Sequence, residues 1–393
     1  MIAGATSGAL ASYIRWVGDS ALPFWSEQGF DSARGRFRER LDREGRPIDV
    51  PHRAMVQARQ AYVFAHAAKL GWFPEGGRLA EIAMANLVRD YGEVGLGTAS
   101  FHFSVDGNGL PAATHRDAYT HAFLLFALAW LYALTGDRRH LNLADKIIAF
   151  IDAKLLDPDH GGLFDAAPAG DLYKRQNPLM HLLEAYLFLA EAAPDKPYFD
   201  RASELVALFK AKLFMPSDGV LLEHFAQDWG PHPDPAKASL FEPGHHFEWV
   251  WLLDRYARLA KVPEEPAAAV LYRVACAHGA AGDGLIYDEV RADKVPVKLS
   301  HRVWPHTEAI KAAIVRHEAG DDEAFTLAES MANQLLGTFL NRPFTGGWID
   351  HVSETGVPLV DYVPASSLYH LFLAATEARR LATVPRTTPQ AMV

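Results

Sequence analysis

The dominant pattern along the chain is helical, because apolar residues recur at intervals of three and four over long windows. Glycine, proline and aspartate separate these windows, as at Gly71, Gly136-Asp137 and Gly320. The pattern predicts twelve helices, over roughly 5–24, 52–71, 79–92, 117–135, 138–155, 176–192, 197–214, 244–260, 264–280, 303–319, 322–340 and 364–382. We therefore expect a mostly α protein.

The predicted helices fall into pairs, with short breaks inside a pair and longer glycine-rich links between pairs. Each longer link carries a glycine turn beside alternating apolar and polar residues, which is typical of a short strand or hairpin. These segments are 35–37, 101–105, 161–165, 219–221, 284–288 and 346–350. A unit that recurs about every 60 residues indicates a repeat of helical hairpins.

Six helical hairpins can stack as an open solenoid or close into a ring. A solenoid needs polar terminal repeats, whereas the last predicted helix carries Leu368, Tyr369, Leu371 and Phe372. We therefore expect an all-α fold, an (α/α)6 barrel of twelve helices with short β-hairpin and loop insertions at one mouth. Residues 1–393 would form a single catalytic domain.

In such a barrel alternate helices face inward, and here the inner set begins with 52–71. The N-terminal halves of these helices carry polar residues on otherwise apolar segments. They are Arg53, Arg59, His121, Asn177, His181, His245, His246, Glu248, His306, Glu308 and His370. If all six N-termini face one mouth, these side chains meet around one pocket.

Composition narrows the function classes. The chain has 393 residues, a net charge of −10, one cysteine and 18 histidines. One cysteine excludes an intrachain disulfide and a cysteine-based zinc ribbon, and the acidic balance disfavours a nucleic-acid partner. The most apolar stretch, 122–134, is too short to span a bilayer, and the N-terminus lacks a basic leader. We expect a cytoplasmic protein with no membrane partner and a small substrate.

Three histidines on predicted inner helices are candidate acid–base groups. His245 and Glu248 share a helix face, so the carboxylate is expected to orient the imidazole. A zinc site there is disfavoured because no HExxH-type pair accompanies it. His181 and His370 lie in apolar runs, where a lone histidine is more often a core residue. Three histidines at equivalent positions nevertheless favour a function.

Two further charged residues and one aromatic residue belong to this set. Arg59 lies inside an apolar helix, where it must be paired or bind something. Glu308 is either a first-turn carboxylate favoured by the helix dipole or a hydroxyl-binding group. Trp304 lies near the expected mouth and could stack on a sugar ring. The sequence contains neither a P-loop nor a GxGxxG motif, so neither of these motifs points to a nucleotide site.

Two segments, RQNPLMHLLEAYLFL (175–189) and EPGHHFEWVWLL (242–253), carry a resemblance to a known family. Supporting segments are VQARQAYVF (56–64), WPHTEAIKA (304–312) and SLYHL (367–371). The sequence resembles the N-acylglucosamine 2-epimerase family, which includes cellobiose 2-epimerases and mannose isomerases. The resemblance implies the same barrel and histidine chemistry without a metal or other cofactor.

The resemblance also implies roles. The catalytic pair would be His245 and His370, with His181 assisting ring opening or binding substrate. The groups that contact sugar hydroxyls or orient the histidines would be Arg59, Asn177, Glu248 and Glu308, and we add Trp304 and His121 to this substrate-binding set.

We expect an aldose–ketose isomerase that converts an unphosphorylated hexose of the mannose type to a ketose through a cis-enediol. The nearest alternative is a 2-epimerase of the N-acylglucosamine or cellobiose type. A more distant one is a glycoside hydrolase on the same barrel, which needs two opposed carboxylates. A phosphorylated sugar remains an alternative substrate, because a phosphate needs a basic pocket and the sequence offers Arg53, Arg59 and Arg175. The partner in each case is a monosaccharide or disaccharide.

Overall fold

The computed structural model describes residues 8–383, which form twelve helices in six hairpins. The predicted start of the first helix at residue 5 lies outside the described residues. The helices are α1 (Ala9–Trp16, continued by Val17–Ala21 and Leu22–Glu27), α2 (Ala54–Lys69), α3 (Gly76–Asn86, continued by Leu87–Tyr91), α4 (Ala118–Thr135), α5 (Arg138–Lys154), α6 (Gln176–Ala192), α7 (Tyr198–Leu208, continued by Phe209–Leu213), α8 (Pro243–Ala260), α9 (Pro266–His278), α10 (Val303–Glu318), α11 (Asp322–Gln334, continued by Leu335–Phe339) and α12 (Leu368–Thr383).

The predicted (α/α)6 barrel is confirmed. Helices α2, α4, α6, α8, α10 and α12 contact one another in this order, and α12 contacts α2, so the inner ring closes. The odd-numbered helices form the outer ring, which α1 completes by packing against α11 and α12. The apolar last helix has its partners on both sides, as closure requires.

Short antiparallel strands decorate the links. They are β1 (Phe30–Asp31), β2 (Arg36–Phe37), β3 (Arg40–Asp42), β4 (His52–Arg53), β5 (Gly92–Val94), β6 (Ala99–Phe101), β7 (Ser104–Val105), β8 (Pro111–Ala113), β9 (Arg116–Asp117), β10 (Ala166–Ala167), β11 (Lys174–Arg175), β12 (Phe214–Met215), β13 (Val220–Leu221), β14 (His224–Phe225), β15 (Leu240–Phe241), β16 (Glu289–Arg291), β17 (Pro296–Lys298), β18 (His301–Arg302), β19 (His351–Val352) and β20 (Tyr362–Pro364).

The strand pairing repeats six times around one mouth. A strand precedes each inner helix and pairs with a strand of another link. The pairs are β4 with β7, β9 with β10, β11 with β14, β15 with β16, β18 with β19 and β20 with β3. All six inner helices therefore start at the same mouth, which we call the front mouth. Their C-terminal ends form the opposite, back mouth.

Local sequence explains the inner helix ends. Asp117 caps α4 by accepting a hydrogen bond from Thr120 N at 3.0 Å. The helix stops at Gly136, whose φ of 70° is the left-handed conformation that glycine adopts without strain. Helix α12 begins at Leu368 rather than the predicted 364, because Ala365–Ser367 form a 3₁₀ turn.

The longest apolar helix belongs to the core of the barrel. Among the described residues, Ala118–Thr135 is the one helix long and apolar enough to cross a membrane, and 67% of it is buried. It packs between α2 and α6 in the inner ring. The helix is longer than the apolar stretch 122–134 on which the sequence argument relied, and it forms part of the core of the barrel.

Candidate active site at the front mouth

One residue from each inner helix forms a ring of side chains beneath the front mouth. In five of the helices this residue lies six positions after the residue that precedes the helix. In α12 it lies six positions after Pro364, the residue that precedes the leading 3₁₀ turn. The six are Arg59, Phe123, His181, Glu248, Glu308 and His370. All are buried. We call this set the floor ring.

His370 forms a dyad with Glu308. Its Nδ1 donates to Glu308 Oε1 at 2.8 Å. The other oxygen of that carboxylate, Oε2, lies 2.5 Å from Lys311 Nζ, and Glu308 and Lys311 are both fully buried. Burial and the nearby cations Arg59 and Lys311 hold the pKa of His370 well below its ordinary value. His370 is therefore a neutral imidazole at pH 7.

His245 forms a second dyad, with Glu223. Its Nδ1 donates to Glu223 Oε2 at 3.0 Å, and Glu242 Oε2 lies 3.8 Å from the same nitrogen. Burial by itself lowers the pKa of His245, but the two carboxylates outweigh it and raise that pKa to about 10. His245 is therefore an imidazolium at pH 7.

The Glu223 carboxylate is fixed by further hydrogen bonds. It accepts from Gln176 Nε2 at 2.8 Å and from Glu242 N at 3.1 Å. Gln176 in turn accepts from Trp249 Nε1 at 2.9 Å. The other ring nitrogen of His245, Nε2, lies 3.4 Å from Asn177 Nδ2, but both nitrogens are donors when His245 is protonated, so the contacts of Glu223 hold the ring. The orientation of the His245 ring is thus set by a buried polar network.

His181 lies among carboxyl groups and aromatic rings. Its Nδ1 is 3.2 Å from Glu184 Oε2 and 3.7 Å from Glu248 Oε1. Tyr369 donates to the same Glu184 oxygen at 2.5 Å. Burial and Arg59 hold the pKa of His181 well below its ordinary value, so His181 is also neutral at pH 7.

Glu248 is a buried carboxyl group without a protein hydrogen bond. Its side chain is 1% exposed, and neither oxygen has a hydrogen-bond partner among the described residues. Burial and the neighbouring Glu308 raise its pKa well above the usual range. A buried polar group in this state is ready to bind a ligand hydroxyl, since an unmade hydrogen bond is costly.

Arg59 is a buried guanidinium without a carboxylate partner among residues 8–383. It donates to Ser366 O at 3.1 Å and to the Tyr119 hydroxyl at 2.5 Å. Its Cζ lies 4.1 Å from the centre of the Phe123 ring. An unneutralised cation in a pocket stabilises negative charge that develops on a bound oxygen.

Trp304 contacts both catalytic candidates. Its ring centre lies 4.9 Å from that of His245 and 5.5 Å from that of His370. Gly244 permits this packing, because a Cβ there would lie 2.6 Å from the Trp304 ring. The backbone at Gly244 and the Trp304 indole therefore approach each other closely.

The structure keeps His121 away from the pocket and thereby corrects its expected role in substrate binding. His121 Nε2 accepts from Phe101 N at 3.2 Å, and Nδ1 donates to Asp117 O at 2.7 Å. His246 and His306 likewise accept from Leu221 N and Ile286 N, both at 3.1 Å. These three histidines tie the links to the inner helices.

Two further expectations need correction. His181 and His370 occupy equivalent floor-ring positions, but His245 lies three residues after Glu242, one turn nearer the mouth. The carboxylate that orients His245 is Glu223 rather than Glu248, which points to His181. The predicted residues Arg59, Asn177, Glu308 and Trp304 do lie in the pocket beside these histidines.

Three residue groups have ligand atoms close enough to hold a metal ion. They are His181, Glu184 and Glu248; Glu223, Glu242 and His245; and Glu248, Glu308 and His370, with ligand atoms within 4.8 Å of one another in each group. In the last group the Lys311 ammonium already contacts Glu308. A cation provided by the chain itself thus neutralises that carboxylate.

The sequence reading missed Glu223, Glu184 and Lys311. Lys311 was detectable, because it lies three residues after Glu308 within an apolar helix, the spacing of a paired charge. Glu223 lies in a link between two-residue strands, and only the barrel closure brings it to His245.

Comparisons with known proteins agree with this geometry. The family described as N-acylglucosamine 2-epimerase (GlcNAc 2-epimerase) matches residues 35–374. A mannose-6-phosphate isomerase of Rhizobium meliloti (strain 1021) is 33% identical over 92% of this chain and 94% of its own. A D-mannose isomerase of Thermobifida fusca is 30% identical, over 81% and 82%. The N-acylglucosamine 2-epimerase of Rattus norvegicus is 24% identical, over 86% and 83%.

A solved structure shows the same fold. A crystal structure of D-mannose isomerase superposes with a TM-score of 0.84 at 20% identity, over 97% of this chain and 99% of the other. The family match and the relatives named above make the protein a carbohydrate isomerase or epimerase. The chain belongs to the N-acylglucosamine 2-epimerase family.

Proposed function

We propose that the protein is an aldose–ketose isomerase that converts unphosphorylated D-mannose to D-fructose by proton transfer between histidines and the sugar. The observation that carries the proposal is the pair of histidine–carboxylate dyads, both packed on Trp304, whose surroundings favour a protonated His245 and a neutral His370. Groups whose environments push their pKa values apart are suited to act as base and acid in one reaction.

In the proposed reaction, neutral His370 removes the C2 proton of the open-chain aldose. The electron pair moves to the carbonyl and gives a cis-enediolate, whose oxygen Arg59 stabilises. His245, as an imidazolium, donates a proton to that oxygen and forms the enediol. His245, now neutral, takes the proton of the C2 hydroxyl as His370 returns its proton to C1, which yields the ketose and restores both histidines.

Other pocket groups would bind the remaining hydroxyls. Among the described residues, neither carboxyl oxygen of Glu248 has a hydrogen-bond partner, and the buried Asn177 Oδ1 atom likewise has none. Trp304 would pack against the carbon skeleton. The proposed chemistry uses side chains alone and assigns no metal or cofactor to the reaction.

An unphosphorylated substrate is favoured because Arg53 and Arg175, two arginines at the front mouth, are already paired. Arg53 Nε lies 2.5 Å from Glu39 Oε1. Arg175 pairs with Asp165 and with Asp171. Arg59, which has no carboxylate partner among residues 8–383, lies deep in the floor ring among aromatic side chains. A sugar phosphate at the mouth would have to displace carboxylates from these arginines.

An epimerase is the second candidate, since it needs the same enediolate. Delivery of the His245 proton to the opposite face of C2 would give glucose from mannose. Isomerisation is favoured because relatives named mannose-6-phosphate isomerase and D-mannose isomerase are 33% and 30% identical, whereas one named for 2-epimerisation is 24% identical.

Incubation with D-mannose in D2O separates these outcomes. We expect fructose that carries deuterium at C1, because a histidine proton exchanges with solvent before it is returned. Glucose labelled at C2 would assign the epimerase instead. Turnover of mannose 6-phosphate but not mannose would contradict the unphosphorylated substrate, and no exchange with any tested hexose would contradict both reactions.

A further inference from the structure

A second cavity lies at the back mouth of the barrel. It has a volume of about 310 Å³ and lies at the C-terminal ends of α2, α4, α6 and α8. Its walls include Lys69, Trp130, Phe188, Glu191 and Arg255. The volume is at the lower end of the range typical of small-ligand pockets.

The barrel core separates this cavity from the front-mouth pocket. Tyr62 packs on Phe126 with ring centres 4.4 Å apart, and Phe126 packs on Phe188 at 4.9 Å. Phe188 continues to Trp251 at 6.2 Å. These rings come from α2, α4, α6 and α8 and form an apolar layer across the barrel. The back cavity is therefore a separate compartment.

Two buried hydrogen-bond donors on the cavity walls have no acceptor. They are Trp130 Nε1 and Arg255 Nε, each without a hydrogen-bond partner in residues 8–383. Such groups normally have a partner. Since both belong to residues that line the same cavity, they indicate a ligand that presents oxygen acceptors.

The remaining polar groups of the cavity favour a neutral ligand over an anion. The Arg255 guanidinium pairs with Glu191, and Lys69 Nζ donates to Ala133 O at 2.8 Å. Both cations are thus already partnered. The C-terminal ends of inner helices, which carry partial negative charge, also converge here. An anion would meet this negative potential, whereas hydroxyl groups both accept and donate.

The aromatic walls fit the apolar face of a sugar ring. Trp130 stacks on His66, with ring centres 3.5 Å apart, and contacts Phe188 at 5.4 Å. The Arg255 Cζ lies 3.9 Å from the centre of the Phe188 ring, which holds the guanidinium in place. Rigid aromatic rings beside fixed hydrogen-bond donors are a suitable surface for a pyranose.

We propose that the back cavity is a second carbohydrate site, which binds a neutral pyranose through Trp130, Phe188 and Arg255. Sugar hydroxyls would accept from Trp130 Nε1 and Arg255 Nε and donate to Glu191. The site carries out no chemistry, because none of these groups is an unpaired acid or base. It is independent of the isomerase proposed for the front mouth.

The test uses the indole N–H signals of the nine tryptophans in ¹⁵N-labelled protein, with Trp130→Phe and Trp304→Phe to assign two of them. The probe is methyl α-D-mannopyranoside, a locked pyranose that cannot open and is not turned over. We expect the Trp130 signal to move and saturate, since its N–H gains an acceptor.

Arg255→Gln is expected to raise the apparent dissociation constant at Trp130 at least tenfold. Arg258→Gln is the matched control, because Arg258 is three residues after Arg255 on α8 but does not line the cavity. An unmoved Trp130 signal up to about 100 mM sugar would overturn the proposal. So would the same isotherm in both arginine variants.

The readout also distinguishes this proposal from the front-mouth one. Deuterium exchange into D-mannose tests only the front mouth, whereas the Trp130 signal tests only the back cavity. Protein that isomerises mannose but leaves Trp130 unmoved would retain its proposed activity and lose the second site.

Discussion

The two dyads make the same contact but hold their histidines in different protonation states. In each, a histidine Nδ1 donates to a buried carboxylate, at 3.0 Å in His245–Glu223 and 2.8 Å in His370–Glu308. The dyads differ in the next charged group that lies beside each histidine–carboxylate pair. Lys311 neutralises Glu308, whereas a second carboxylate, Glu242, faces His245.

This difference shows that a histidine's nearest carboxylate does not decide its protonation. At His370, burial, Arg59 and Lys311 leave a neutral ring. At His245, Glu223 and Glu242 overcome the burial and keep the proton. The total charge around each dyad sets the protonation state of its histidine. The same barrel therefore holds one neutral and one protonated histidine.

Removing either ring should have the largest effect. His370→Ala deletes the proposed base and His245→Ala the proposed acid, so we expect kcat/KM to fall about 10³- to 10⁴-fold in each, the range of acid–base catalysis. Steady-state assays with D-mannose measure this. A thermal unfolding curve like that of the parent protein is the control for folding. Activity within tenfold of the parent protein would contradict the role of that histidine.

Lys311→Met should make the His370 dyad resemble the His245 dyad. Without the ammonium, the Glu308 charge is no longer neutralised and raises the pKa of His370, so less neutral base is present at pH 7. We expect kcat/KM to fall about 10²-fold, with its acid limb at higher pH. A pH–rate profile on D-mannose measures the shift, and an unmoved limb would contradict it.

The Lys311→Met variant also loses one partner of a buried pair, which costs about 3–5 kcal/mol of stability. The double variant Lys311→Met/Glu308→Gln removes both charges and is the matched control. It should recover most of that stability, as measured by denaturant unfolding. A double variant no more stable than the single one would show that the pair is not coupled.

Glu223→Gln should weaken the opposite dyad. It removes one of the two charges that hold the proton on His245, so the pKa of His245 should fall from about 10. We expect kcat/KM to drop on the order of tenfold, with the alkaline limb at lower pH. Asp254→Asn, a charge removal on the same helix as His245 but in its C-terminal half, is the control and should leave the limb in place.

The smallest expected effect is that of pH on kcat/KM of the parent protein. The base must be neutral, so activity is lost as pH falls through the lowered pKa of His370. The acid must be protonated, so activity is lost as pH rises through about 10 at His245. Between these limits kcat/KM should vary less than about threefold. A sharp optimum near pH 6.5 would mean that an unperturbed histidine controls the rate.

The sequence predicted the barrel because its signals are local and repeated. Helical periodicity, glycine turns and an apolar last helix are each readable within a few residues. Polar residues at the starts of inner helices identified His181, His245, Glu308 and His370, because the fold places all six starts at one mouth.

The pairing of these residues was not readable. His245 meets Glu223, 22 residues earlier in a link, and His370 meets Glu308 on the neighbouring inner helix. His121 resembled a site residue because it shares the polar start of an inner helix. Its ring turns instead toward backbone groups of a link, a choice that only the tertiary packing makes.

The different protonation of His245 and His370 is tested most directly by NMR titration of the imidazole nitrogens. Protein labelled with ¹⁵N-histidine, with His245→Ala and His370→Ala used for assignment, gives the protonation of each ring. Our account predicts that at pH 8 His245 carries both ring protons and at pH 6.5 His370 carries one. Two rings that titrate together near the ordinary histidine pKa of about 6.5 would contradict it.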